Sequence, residues 1–274
     1  MKKLIILAVA AFSLTVNAQT NSQVKPALPS KNTQPFLFSV NTITQENAAW
    51  SINYAGSYGN NATSPFGFNG VDQHLAVKGY LGSRFTLFAN VGLGFNRSGG
   101  TRSTQQLEII RDFVGGKKAL GFRMGAGIGA TREWTNNKAI FSKIVAEYDN
   151  QAWKMGANMR FEKTFDATRD KIDLISSLGV HRRISQNFFG GLEAVGEDLE
   201  GFWDAKEAEG GAKLFIGPSL NYLPNNSKLA FSLSGGPIIY ATKNAQLNNS
   251  APRNLNQNAS SGYTLKFQMA FNLK

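Results

Sequence analysis

The chain has 274 residues, 29 lysines and arginines against 18 aspartates and glutamates, and a net charge of +11. It has no cysteine, which excludes disulfides, thiolate nucleophiles, cysteine metal sites and a lipid-modified cysteine. The excess of base suits anionic solutes or lipid headgroups. The chain shows no basic helix or aromatic–basic module of the nucleic-acid kind, so no nucleic-acid partner is expected.

The chain opens on MKKLIILAVAAFSLTVNAQT, with Lys2 and Lys3 ahead of a short apolar run from Leu4 to Val16. Val16-Asn17-Ala18 then fits a small-residue cleavage site, so residues 1–18 are expected to be a secretory signal peptide, too short to span a bilayer comfortably. Residues 19–46 begin polar and proline-containing and read as a periplasmic lead-in. Within them, FLFSVNTI is either a short strand or a stretch that tucks into the domain. Residues 47–274 are expected to form one barrel domain.

From there period-two alternation predicts twelve strands: 48–57, 73–81, 84–96, 105–114, 118–131, 138–148, 152–163, 171–183, 187–196, 210–222, 228–240 and 260–274. The last shows the pattern well. Tyr263, Leu265, Phe267, Met269, Phe271 and Leu273 alternate with Thr264, Lys266, Gln268, Ala270 and Asn272. Short connections such as GS, GGK, DNQ and ISQ alternate with longer ones, of which 58–72, 197–209 and 241–259 are the longest. Pro218 and Pro237 fall inside predicted strands beside Gly217 and Gly235-Gly236, so bulges are expected there.

Alternating strands also build soluble sandwiches and barrels. Two features favour a membrane: the connection rhythm, and aromatics sorted by height. Phe85, Phe113, Tyr148, Trp153, Phe188, Tyr222 and Phe271 fall on the apolar face at the short-turn ends, as a periplasmic girdle would. Tyr54, Phe95, Phe161 and Tyr263 fall near the opposite ends.

On these residues, 48–274 resembles the bacterial outer-membrane β-barrel class. The terminal FQMAFNLK resembles the closing strand that the barrel-assembly machinery reads, although Phe271 lies three residues before the final Lys274. The hairpin KGYLGSRFTLFANVGLGF looks like uncharacterised or transporter-type members. The resemblance implies a single antiparallel up-and-down transmembrane barrel of about twelve strands, in the outer membrane among lipid and lipopolysaccharide.

The polar strand faces would then line a lumen with the bases Lys78, Arg123, Lys143, Lys154, Arg160, Arg183, Lys213 and Lys266 and the acids Glu108, Asp112, Glu147, Glu162, Asp173 and Glu193, a slightly basic mixture. Two readings stand. One is a salt-bridge network that fills the barrel; the other is a pore for small polar solutes with a weak preference for anions. Gly92, Gly94, Gly125, Gly127 and Gly129 leave space for a solute, ease strong strand curvature, or make room for Phe88, Phe189 and Phe215. No cofactor, metal site or catalytic residue is expected. Outer-membrane phospholipases of similar strand count use a Ser-His-acid set, but neither His74 nor His181 lies in a recognisable motif. The acidic loop with Glu197, Asp198, Glu200, Asp204, Glu207 and Glu209 lacks the spacing of a calcium loop and suits solvent or cation bridges to lipopolysaccharide.

Overall fold

A strand with one apolar and one polar face needs a different environment on each side, and a closed sheet supplies both. In the computed structural model the described residues are 36–38, 50–115, 121–150, 152–165, 172–202, 212–225, 227–241 and 262–273. The strands are β1 (Ser51–Asn60), β2 (Gly70–Gly82), β3 (Phe85–Asn96), β4 (Thr101–Val114), β5 (Gly121–Arg132), β6 (Lys138–Asp149), β7 (Trp153–Thr164), β8 (Asp173–Arg183), β9 (Phe188–Glu197), β10 (Ala212–Tyr222), β11 (Leu229–Ala241) and β12 (Gly262–Asn272). Each pairs antiparallel with its sequence neighbour, and β12 closes on β1 with Asn272 opposite Ser51 and Met269 opposite Tyr54.

The faces are inverted relative to a soluble protein. Ile128 is 71% exposed and Leu265 51%, whereas Lys78 is 2% exposed and Glu193 0%. Val71, Leu75, Val91, Leu107, Leu178 and Leu192 continue the outward apolar belt. Only lipid can meet such a surface without a large hydrophobic penalty, so the barrel spans a membrane.

One rim holds the start of β1, the end of β12 and the connections 83–84, 115–120, 150–152, 184–187 and 223–228. We call it the terminal rim and the other the loop rim. Local chemistry sets the turns. Ser83 and Arg84 both have positive φ, 48° and 66°, as a two-residue type I′ hairpin requires. The Asn150 side chain accepts the N–H groups of Ala152 at 2.8 Å and Trp153 at 2.6 Å, fixing the β6–β7 turn.

Strict short–long alternation is corrected. At the loop rim, 97–100 and 133–137 are no longer than 115–120 at the other. Gly99 and Gly100 adopt φ of 93° and 91°, and Gly100 C=O accepts Asn96 N–H at 3.1 Å, which closes a tight turn where a longer loop was expected. β4 therefore starts at Thr101 and β1 runs on to Asn60.

The prolines cause no bulge. β10 and β11 lose pairing around Pro218 and Pro237, then resume in the same register: Phe215 faces Ile238 and Ser219 faces Ser234. The backbones press together instead, since a Cβ on Gly217 would lie 2.2 Å from Gly235 O. The register shifts sit elsewhere, at Tyr80/Gly82 and Asp112/Val114.

Candidate functional site: the barrel interior

The β2–β7 wall is charged. Arg123 and Glu147 face each other across β5 and β6 with Nη2 to Oε2 at 2.6 Å. Lys143 has Gly127 and Arg160 beside it in the ladder. It reaches across β5 to Glu108 on β4, with Nζ 2.7 Å from Oε1 and 3.0 Å from Oε2. Bare glycines permit this reach: Gly127 stands opposite Lys143 and Gly129 opposite Glu108. Arg160 is ion-paired to Glu162 and lies 3.8 Å over the Phe141 ring. Lys154 lies 4.0 Å from Asp149 and 4.8 Å over Phe189. Lys78 is buried on the same wall, between Ser51 and Phe88 in the ladder.

The β9–β12 wall carries fewer charges and more hydroxyls and amides. Asn221, Ser219, Ser232, Ser234, Thr264 and Gln268 are buried there. Lys213 binds Glu197 at 2.9 Å, and Lys266 lies 5.3 Å over the Phe38 ring. Glu193 accepts Leu37 N–H at 2.5 Å, Phe38 N–H at 3.2 Å and Ser234 Oγ–H at 3.2 Å.

The predicted lumen residues Lys78, Arg123, Lys143, Lys154, Arg160, Glu162, Glu193, Lys213 and Lys266 thus all point inward. Residues 36–38 of the predicted periplasmic lead-in also lie inside the barrel, as a bend. Residues 39–43 fall outside the described residues.

The outer half of the interior is packed. The β1–β2 loop, residues 61–69, folds inward. Phe66 is 0% exposed and joins Ala62, Val195, Phe215 and Ile238 in an apolar cluster. Thr264 Oγ1 donates to Phe66 O at 3.1 Å and Lys213 Nζ to Ser64 O at 3.2 Å, which holds the loop down. Phe68 packs on Trp134 at 4.9 Å. The strand glycines serve this packing: a Cβ on Gly94 would meet the Phe68 ring at 2.8 Å, and one on Gly129 the Phe141 ring at 2.4 Å. Gly92 likewise makes room for His74 and Gly127 for Ile110, so the side chains these glycines admit are not the expected Phe88, Phe189 and Phe215.

All seven girdle aromatics sit on the outward face at the terminal rim. Phe188 stacks on Tyr222 at 4.5 Å and Tyr222 on Phe231 at 6.2 Å. Arg111 lies over Phe85 and Phe113, and Arg182 over Trp153. Tyr148 and Phe271 are exposed outward. Tyr54 is corrected to mid-span, because β1 continues to Asn60, and Tyr58 takes the place beside Tyr263 at 5.9 Å.

Among the described residues neither histidine is hydrogen-bonded to a serine. His74 Nε2 lies 3.1 Å from Asp72 Oδ1, and Ser57 Oγ–H donates to Asp72 Oδ2 at 2.5 Å. The acid therefore stands between serine and histidine, so His74 has no serine proton to take. His181 packs against Phe36 with tilted rings, centroids 4.5 Å apart, and neither ring nitrogen has a hydrogen-bond partner among the described residues. Asp173, Glu197 and Asp198 bring carboxylate oxygens within 4.8 Å of one another. Lys213 already meets Glu197 and Leu174 N–H already meets Asp198, so protein donors satisfy part of that charge.

No protein-family model and no curated protein matches this chain. Solved structures do. The KdgM porin, solved in complex with disordered oligogalacturonate, aligns with a TM-score of 0.53 at 9% identity, over 82% of this chain and 99% of that one. The NanC porin aligns at 0.54 and 9%, over 81% of this chain and 100% of that one. This chain has the porin fold.

Within that porin fold, sequence reasoning missed three inward acids. Asp72, Asp149 and Glu197 are all buried. Each lay one residue beyond a predicted strand end, where alternation assigns no face. With them the interior carries about as much acid as base.

Proposed function

We propose that the chain is an outer-membrane pore that passes small polar solutes passively, with a weak preference for anions and no catalytic chemistry. The terminal rim then faces the periplasm, reached after removal of the signal peptide. The observation that supports this most is the charged lining. A barrel built only to be filled is more stable with apolar residues than with desolvated ion pairs, since burying each charge costs several kcal/mol. Yet Lys78, Arg123, Glu147, Lys143 and Glu108 line one wall of a transmembrane barrel. Such a lining suits solutes that must exchange water for polar contacts. The oligogalacturonate bound by KdgM is one polar solute of this broad kind. The added acids keep any anion preference small. Lipopolysaccharide around the apolar belt and the barrel-assembly machinery during insertion are the proposed partners.

Liposome swelling tests this reading. Liposomes containing the refolded chain should swell in small neutral and acidic sugars, slightly faster in the acidic ones, and not in large oligosaccharides. Swelling no faster than protein-free liposomes for every sugar overturns it. The in-folded Phe66 favours a second reading, a closed structural barrel that binds partners through its outer loops. That reading predicts no swelling at all.

A further inference from the structure

The groups around residues 36–38 form a receptor for an extended backbone. Leu37 and Phe38 present two successive N–H groups to the two carboxylate oxygens of Glu193, at 2.5 and 3.2 Å. Charge-assisted bonds of this kind are among the stronger polar contacts. Ser234 and Ser219 hold the same carboxylate from the wall, at 3.2 and 3.4 Å. The amides and hydroxyls make the direct contacts to Glu193, and the Lys266 ammonium, over the Phe38 ring, adds its field to them. The side chains have fitted places too. Phe36 covers Gly179, where a Cβ would lie 2.4 Å from its ring, and meets the His181 ring at a tilt, with centroids 4.5 Å apart. Phe38 packs on Phe215 with ring centroids 4.3 Å apart. Phe36 and Leu37 are buried almost completely.

We infer that β8–β12 carry a peptide-binding site inside the barrel, that its occupant is residues 36–38 of the same chain, and that occupation closes the pore. This rests on the pore reading. The segment belongs to no strand, so its departure breaks no ladder bond. Water entering behind it would rehydrate Glu193, so the carboxylate is left unpaired in neither state. Phe38 lies about a dozen residues before Trp50 at the terminal rim, an extended reach of at most about 40 Å.

The test uses the absence of cysteine, so that an introduced pair is the only thiol pair. Phe36→Cys with Gly179→Cys in the refolded full chain should form a disulfide under mild oxidation. The oxidised barrel should stay closed in planar bilayers, and reduction should raise its open probability at least fivefold. Phe38→Ser alters a residue outside all twelve strands and should open the wild-type barrel to a similar degree. Heat-modifiable migration on gels checks that each variant folds. If no disulfide forms while the protein conducts normally, the plug is overturned and the pore stands. Equal conductance of the oxidised and reduced forms also overturns the plug. If the disulfide forms and no variant conducts, the pore reading falls and the gate falls with it.

Discussion

The Lys143–Glu108 pair reports most sharply on how dry the interior is. Both side chains are buried, and Lys143 Nζ contacts both carboxylate oxygens at 2.7 and 3.0 Å. Gln106 Nε2 adds a bond to Oε2 at 3.2 Å. At 2.7 Å the attraction is about 6 kcal/mol for an effective dielectric of ~20, offset by several kcal/mol of desolvation for each ion. The intact pair is therefore near break-even. Removing one partner leaves the other buried without its opposite charge, and Glu108→Gln or Lys143→Met should each cost about 3–5 kcal/mol. The double variant should recover most of that loss, because its two neutral side chains need no ionic partner. Urea unfolding in detergent micelles, followed by tryptophan fluorescence, measures all four proteins of this cycle. If each single variant loses less than about 1 kcal/mol, the pair behaves as a solvated surface pair and the packed interior described here is wrong.

Three further outcomes follow from the same geometry. Val91 is exposed outward in the middle of β3, and Val91→Arg should destabilise the barrel in lipid by about 2–4 kcal/mol, whereas an arginine at the Phe271 rim should cost about 0–1. Equal costs in a refolding titration would show that no bilayer surrounds this face. Gly191 faces Val180 O so closely that an added Cβ would lie 1.8 Å away, and Gly191→Ala should lower stability by about 1–3 kcal/mol without altering the outward surface. Phe66→Ala should cost about 3–5 kcal/mol through the cavity left against Phe215; a loss under 1 would mean that the β1–β2 loop is not seated inside.

The strands were legible because lipid and lumen impose opposite demands on alternate residues. That signal fades where a strand leaves the membrane. Beyond Ser57, β1 ends in Tyr58, Gly59 and Asn60, whose glycine and asparagine carry turn chemistry and no apolar alternation, so they looked like loop, and Tyr54 was placed too near the outer end. The same fading hid Asp72, Asp149 and Glu197 at predicted strand ends. The in-folded Phe66 and Phe68 were not legible either, because an aromatic residue in a loop carries no mark of the wall it will meet. FLFSVNTI announced a segment with somewhere to go. Its partner Glu193, more than 150 residues away, could be found only once the barrel had closed. Inward charges on regular strands, from Lys78 to Lys266, needed only the correct parity.

Single-channel recording from the refolded chain in planar bilayers tests the central claim most directly. A pore of this kind should show discrete, infrequent opening steps in the wild type, with a reversal potential in a salt gradient displaced slightly toward anions, and longer openings in Phe38→Ser. An absence of steps in both proteins, each verified as folded and inserted, would contradict it.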